Sequence, residues 1–322
     1  MSQPSVIALM VEQGHGPAAE GAHEAAATGG FNAGDVIIGH VSNSSHEHPL
    51  IHLPAIFGID MSVTKHVFML WLVAAVIFIG VTAVVRTYVR RTRLVPTGPA
   101  GVLEVAVDFI RDGVARPQLG EKWTDVWTPY LLTLFLFILG ANLVGLIPIF
   151  DVLGLVNHYV LHGDEHSFVS RLVHGSSTAT GNFNVTAGLA VITFFAIMIA
   201  GTRKHGFVKH WANLVPHGLP KPLYILLIPL EFISMLVRPF ALTMRLAANM
   251  TGGHIAILAI MSFVFIFAES LGATAAMTIG LGVSVPISVA MLGLEIIVVL
   301  VQAYVFTLLS AVFIGMAIHV HH

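Results

Sequence analysis

The sequence predicts an all-α integral membrane protein with about five membrane-embedded helices and one amphipathic surface helix, the last two spans being long and strongly tilted. Three observations predict it. Of 322 residues, 56% are hydrophobic and only 10% charged, with a mean hydropathy of +0.86, whereas soluble domains carry about 25% charged residues. The apolar residues fall in uninterrupted runs of spanning length. Lysine and arginine gather in alternate connecting segments. Cysteine is absent, which excludes disulfides, thiolate chemistry and cysteine metal sites. The sparse basic residues lack interleaved surface aromatics and give no sign of a nucleic-acid partner.

Taken in order, residues 1–60 form a polar, histidine-rich tail containing "HGPAAEGAHEAAATGG". Its "SVIALM" is too short for a signal-peptide core, and no basic residue precedes it. The membrane domain is expected over 61–322. Its first span, about 66–88, begins "HVFMLWLVAAVIFIG" and runs into the basic flank "RTYVRRTRLVP". The next segment, about 101–116, puts Leu103, Val107, Ile110 and Val114 on one helical face and Glu104, Asp108, Arg111 and Asp112 elsewhere. That is an amphipathic helix lying on the membrane surface, with Pro117 expected to close it. A second span covers about 126–150, with Trp123, Trp127 and Tyr130 as an interfacial belt. A polar loop leads to a third span, about 184–202, and a second basic loop follows. Two long apolar stretches, about 223–269 and 275–318, complete the chain.

The basic residues orient these spans. Segment 86–122 holds seven Lys/Arg and segment 202–222 holds four, whereas loop 151–183 holds only Arg171 and the first 64 residues hold none. The alternation places the N-terminus outside, the two basic segments in the cytoplasm and loop 151–183 outside. With the last stretches crossing once each, the C-terminus is cytoplasmic. Each of those stretches is far longer than the roughly 20 residues a 30 Å hydrocarbon core requires. One alternative is a hairpin turning at "NMTGGH" (249–254); a single tilted helix is favoured, because a hairpin exposes polar residues at the bend and leaves short legs.

These two stretches hold Glu231, Arg238, Arg245, His254, Glu269 and Glu295, with Asn249 and Gln302 as uncharged polar company. Seven-residue spacing puts Glu231, Arg238 and Arg245 within about 20° of one another from one to the next. Asn249 lies one turn beyond Arg245, and His254 points to the opposite side. Glu295 and Gln302, also seven apart, share a face. Structural pairing would be the plain reading in a soluble protein; within a bilayer, ionisable groups mark ion paths or relays. Small residues around Arg245 ("ALTMRLAANMTGG") admit a close neighbour and suit a guanidinium paired with a carboxylate on another helix. Glu269 lies near a helix end and reaches the interface.

"LEFISMLVRPFALTMRLAANMTGGH" and "LGLEIIVVLVQAYVFTLLS", with "ANLVGLIP" and "TGNFNVTAGLA" before them, closely resemble the a subunit of the membrane (Fo) sector of F-type ATP synthases. The resemblance covers about 60–320 and leaves out the tail. It implies a proton-conducting stator subunit, not catalytic on its own, in a complex with a c-subunit ring, b-type peripheral stalk subunits and membrane lipid. It implies two offset half-channels, with Arg245 as the barrier between them facing the rotor carboxylates. Asn249, His254, Glu295 and Gln302, with Asn142, Asn182 and Asn184 as polar contributors from earlier spans, match the outer half-channel, and Glu231 and Arg238 match positions toward the cytoplasmic side. Many bacterial members carry an acid where His254 stands and a histidine where Glu295 stands, so the pair is swapped here as in mitochondrial relatives. Gly145 occupies a position that is acidic in some members. The implied location is an energy-transducing membrane, the bacterial inner membrane.

No cofactor or metal site is expected. His15, His23, His46, His48 and His52 lie in the tail, and His319, His321 and His322 at the end read as solvated terminal residues. A sodium-coupled version of the same subunit is the near alternative. An unrelated cation–proton transporter would show inverted repeats with broken helices, which the sequence lacks. "HExxH" and "GxSxG" are absent too, which removes the zinc-protease and serine-hydrolase readings.

Overall fold

The computed structural model describes Gly34 and residues 65–91, 96–146, 179–212 and 221–319. The tail, most of loop 151–183, and His321 and His322 lie outside these residues. Among the described residues the chain is helical and no strand occurs. In hydrocarbon only a helix satisfies every backbone group within one segment, and the apolar runs comply. The helices are α1 (Lys65–Arg91), α2 (Pro99–Asp108), α3 (Arg116–Leu119), α4 (Glu121–Leu146), α5 (Phe183–His205), α6 (Phe207–Ala212), α7 (Lys221–Leu271), α8 (Ala273–Ile279) and α9 (Val285–Ile318). Among the described residues five segments are long and apolar enough to cross a membrane: His66–Arg90, Glu121–Leu146, Phe183–His205, Leu223–Val264 and Met277–Ile318.

The first of the two long stretches is one helix. α7 has 51 residues without interruption, about 76 Å at 1.5 Å per residue. "NMTGGH" is helical throughout, so no hairpin turns there. Hydroxyls inside the apolar helices are satisfied by their own backbone four residues back: Thr243 to Pro239, Ser262 to Leu258, Thr307 to Ala303 and Ser310 to Phe306, at 2.8–2.9 Å. α9 is preceded by a π-helical turn, Gly280–Ser284.

Pro117 does not close the amphipathic segment. A π turn, Phe109–Ala115, follows α2, and the helix continues through Pro117 to Leu119. A π turn is wider than an α turn, and a proline ring otherwise meets the carbonyl one turn back. The chain stops instead at Gly120, whose φ of +74° suits glycine. The apolar face is inward, with Ile110, Val114 and Leu119 fully buried.

The chain forms two compact units. One comprises Met1–Trp71, Ala141–Asn182 and Ala248–Val298; the other comprises Leu72–Gly140, Phe183–Ala247 and Val299–His322. In the second unit the end of α9 is clasped. Gly315 lies so close to the Gln118 carbonyl that any Cβ would overlap it. His319 Nε2 donates to the Leu119 carbonyl at 2.9 Å, and His205 Nε2 donates to the Ile318 carbonyl at 3.1 Å. His319 is therefore exposed but engaged, not simply solvated: helix C-termini leave carbonyls without intrahelical donors, and imidazoles supply them. Trp127, expected in an outward belt, is only 7% exposed, and its ring meets Tyr130 edge-on at 6.0 Å. Tyr130 reaches Thr193 through a 3.0 Å hydroxyl–hydroxyl hydrogen bond.

Candidate functional site

The first unit gathers polar groups from α4, the Ala179–Gly181 turn, α7 and α9. Asn142 and Thr180 are both fully buried, and the Thr180 hydroxyl donates to Asn142 Oδ1 at 2.5 Å. Asn142 Nδ2 is buried with no hydrogen-bond partner. Thr251 Oγ1 donates to the Gly181 carbonyl at 3.3 Å, which ties this turn to α7. Met69 of α1 packs with Ala179 and Val144 beneath it.

Three residues along α7, His254 meets Glu295 of α9, with Nδ1 to Oε1 at 3.7 Å. Glu295 is only 4% exposed, and neither carboxylate oxygen accepts a hydrogen bond. Gly253 makes the approach possible: a Cβ there would stand 2.6 Å from Oε1. Two turns up α9, Ser288 Oγ is another buried polar atom with no hydrogen-bond partner. A buried polar group left without a hydrogen bond costs about 1–3 kcal/mol, so these orphans mark a region made for something other than stability. One imidazole and one carboxylate close together are chemically equipped to hold and pass a proton.

The second unit holds Arg245 and Gln302. Gln302 is 3% exposed. Arg245 is exposed, as is Ala241, and so are Ala248 and Asn249 where the same helix enters the first unit; on α7 the guanidinium stands among small residues. Among the described residues no carboxylate lies within ion-pairing distance of it. Arg238 behaves differently: it pairs with Glu231 at 3.6 Å and lies over the Phe313 ring at 5.5 Å. Helical spacing made Arg238 and Arg245 look alike; the structure gives one a partner within the chain and leaves the other presented outward. Asn182 is half-buried and Asn184 exposed at the start of α5.

Sequence reasoning missed Gly253, Thr180, Thr251 and Ser288. Gly253 carried a signal, since glycine within a helix costs about 0.8–1.0 kcal/mol relative to alanine, but the Gly-Gly pair enters the sequence reading only as the turn of the disfavoured hairpin and among the small residues near Arg245. The two threonines and the serine had none, because a hydroxyl in a membrane helix is normally satisfied by its own backbone. Among the described residues no cluster of three or more His, Asp and Glu able to hold a metal occurs.

Comparison with known proteins identifies the family. The family model described as ATP synthase A chain matches residues 67–315. ATP synthase subunit a 2 of Chlorobium luteolum is 40% identical over 97% of this chain and 84% of its own length. ATP synthase subunit a of Chloroherpeton thalassium is 38% identical over 84% of this chain and 71% of its own. That of Anaeromyxobacter dehalogenans is 36% identical over 96% and 77%. With five helices of spanning length and a match over most of its residues, the chain belongs to the ATP synthase A chain family, the multi-pass membrane subunit a of the Fo sector.

Proposed function

We propose that the chain is the proton-conducting stator subunit of a rotary ATP synthase, in which two offset aqueous half-channels pass protons to and from the carboxylates of a c-subunit ring and Arg245 separates them. One observation carries this reading: Arg245, a permanent cation, stands exposed on a small-residue face in the middle of an apolar helix, with no carboxylate among the described residues within ion-pairing distance. Arginine at mid-bilayer costs about 2.5–3.5 kcal/mol on insertion scales, and an anion on a neighbouring chain offsets that cost. A fixed cation favours the ionised rotor carboxylate and so promotes proton release as the carboxylate approaches. It also repels a proton moving directly from one half-channel to the other. Each proton driven by 100 mV makes about 2.3 kcal/mol available, and the detour through the ring converts it into rotation.

The outer half-channel is assigned to Asn142, Asn182, Asn184, Asn249, His254, Glu295 and Gln302. The orphaned polar atoms of Asn142, Ser288 and Glu295 support water there, since water satisfies buried groups that protein leaves unpaired. Glu231 and Arg238 belong to the cytoplasmic side. The charge alternation supports a bacterial inner-membrane topology with tail 1–60 outside and the C-terminus of membrane domain 61–322 in the cytoplasm. The b-type stalk subunits hold the chain against the turning ring; the chain itself catalyses nothing.

The test is the assembled complex with Arg245→Ala in proteoliposomes under an imposed potential and pH gradient. ATP synthesis is expected to vanish while passive proton leak is retained or rises. Unchanged synthesis overturns the barrier role, and synthesis driven by a sodium gradient alone overturns proton coupling.

A further inference from the structure

At the C-terminal end of α5 the second unit turns a corner. Gly206, at φ +81°, donates its N–H to the Thr202 carbonyl at 2.8 Å, and His210 N–H returns to the Gly206 carbonyl at 2.9 Å. His210 closes the corner. It is 5% exposed, and its ring lies so close to Gly201 that any Cβ there would overlap it. Its Nε2 is buried and has no hydrogen-bond partner.

With His210 inward, Phe207, Val208, Lys209 and Trp211 of α6 are exposed. Phe207, Val208 and Trp211 are 67%, 79% and 42% exposed, and the two aromatic rings meet edge-on at 6.4 Å. Arg203, Lys204 and Lys209 are exposed beside them, and residues 202–222 contain no acid. Ile192, Phe195, Ile199 and Arg203 recur at i, i+3, i+7 and i+11, so they share an arc of about 80° on α5. The first three are 55%, 57% and 49% exposed. A strip of bare hydrocarbon therefore ends on a cation, with two more cations and an aromatic wedge next to it.

We propose that this corner is a binding site for an anionic phospholipid: the phosphate lies against Arg203, Lys204 and Lys209, the glycerol level against Phe207 and Trp211, and an acyl chain along Ile192, Phe195 and Ile199. Tryptophan belongs at the headgroup level, and cations beside it attract acidic lipid. An acidic peptide would match the charges and leave the hydrocarbon strip uncovered; one lipid molecule covers both. The inference needs only a membrane-embedded chain and is independent of the proton path.

The experiment uses the assembled ATP synthase in vesicles containing brominated phosphatidylglycerol or brominated phosphatidylcholine. The Trp211 contribution to fluorescence is isolated by difference against Trp211→Phe. Stronger quenching by the anionic lipid is expected, with the preference falling roughly fivefold for each of Arg203→Gln, Lys204→Gln and Lys209→Gln. In the unsubstituted complex the preference is expected to shrink as salt rises toward about 1 M, where the screening length falls to about 3 Å; this arm holds even where a variant fails to assemble. Equal quenching by both lipids, or a preference indifferent to salt, overturns the proposal. Absence of quenching by either lipid also overturns it and places a protein partner, such as a stalk helix, on the corner.

Discussion

Gly253 and Glu295 fit each other: a Cβ on the glycine would stand 2.6 Å from the carboxylate Oε1. The contact is with the far end of a flexible side chain, so crowding displaces the carboxylate more readily than it unfolds the helices. Gly253→Ala is expected to leave assembly near normal and to lower proton-driven ATP synthesis about tenfold or more, since shifts of about 1 Å near reacting groups cost that much. ATP synthesis in vesicles, normalised to assembled complex, checks it; a wild-type rate removes the glycine from the mechanism.

Thr180 and Asn142 form a buried pair whose loss has a definite sign. Thr180→Val removes the donor to Asn142 Oδ1 and leaves both ends of a buried amide unpaired, because Nδ2 already has no hydrogen-bond partner. A destabilisation of about 1–3 kcal/mol is expected, with Thr180→Ser restoring most of it. Thermal denaturation of the purified complex, followed through release of this subunit, measures both.

The clasp on α9 separates hydrogen bonding from bulk. His319→Leu removes the donor to the Leu119 carbonyl and is expected to cost about 1 kcal/mol; His319→Gln keeps an amide donor and is expected to cost less. Gly315→Val drives a side chain into the Gln118 carbonyl and is expected to cost more than either, about 1–3 kcal/mol, since backbone yields less than a side chain. Hydrogen exchange over the last turn of α9 ranks the three.

His210 gives the α5–α6 corner a pH dependence. Burial, reinforced by the neighbouring His205, lowers its pKa below the ordinary 6.5. The unfolded corner then binds the proton more readily, so local stability is fully present above about pH 6.5 and is lost as pH falls through the folded pKa. Protection of amides 206–212, taken against the intrinsic exchange rate at each pH, is expected to fall on acidification from about pH 7.5 to 5.5. His210→Leu is expected to flatten that response; an unchanged profile in the variant assigns it to another group.

Length and hydropathy alone made the five spans legible, because a hydrocarbon core leaves a chain few other solutions. Arg245 was legible for the same reason: a charge in hydrocarbon is conspicuous. Its difference from Arg238 was not, since helical spacing places both alike and only tertiary packing decides that Arg238 meets Glu231 and Phe313. Pro117 misled because a π turn relieved the clash that normally ends a helix. His319 reads in the sequence as a solvated terminal histidine; its engagement, like that of His205, depends on which helix end arrives beside it, a property of topology that no local pattern encodes.

The exposed guanidinium of Arg245 also bears on the fate of an unassembled copy. On the role proposed for Arg245, a subunit without its anionic neighbour carries an unneutralised charge among acyl chains, worth about 2.5–3.5 kcal/mol against it. Whatever supplies the counter-charge stabilises the chain by mass action. The same side chain thus marks orphan copies as the less durable ones, and the membrane keeps this subunit best where its partner is already in place.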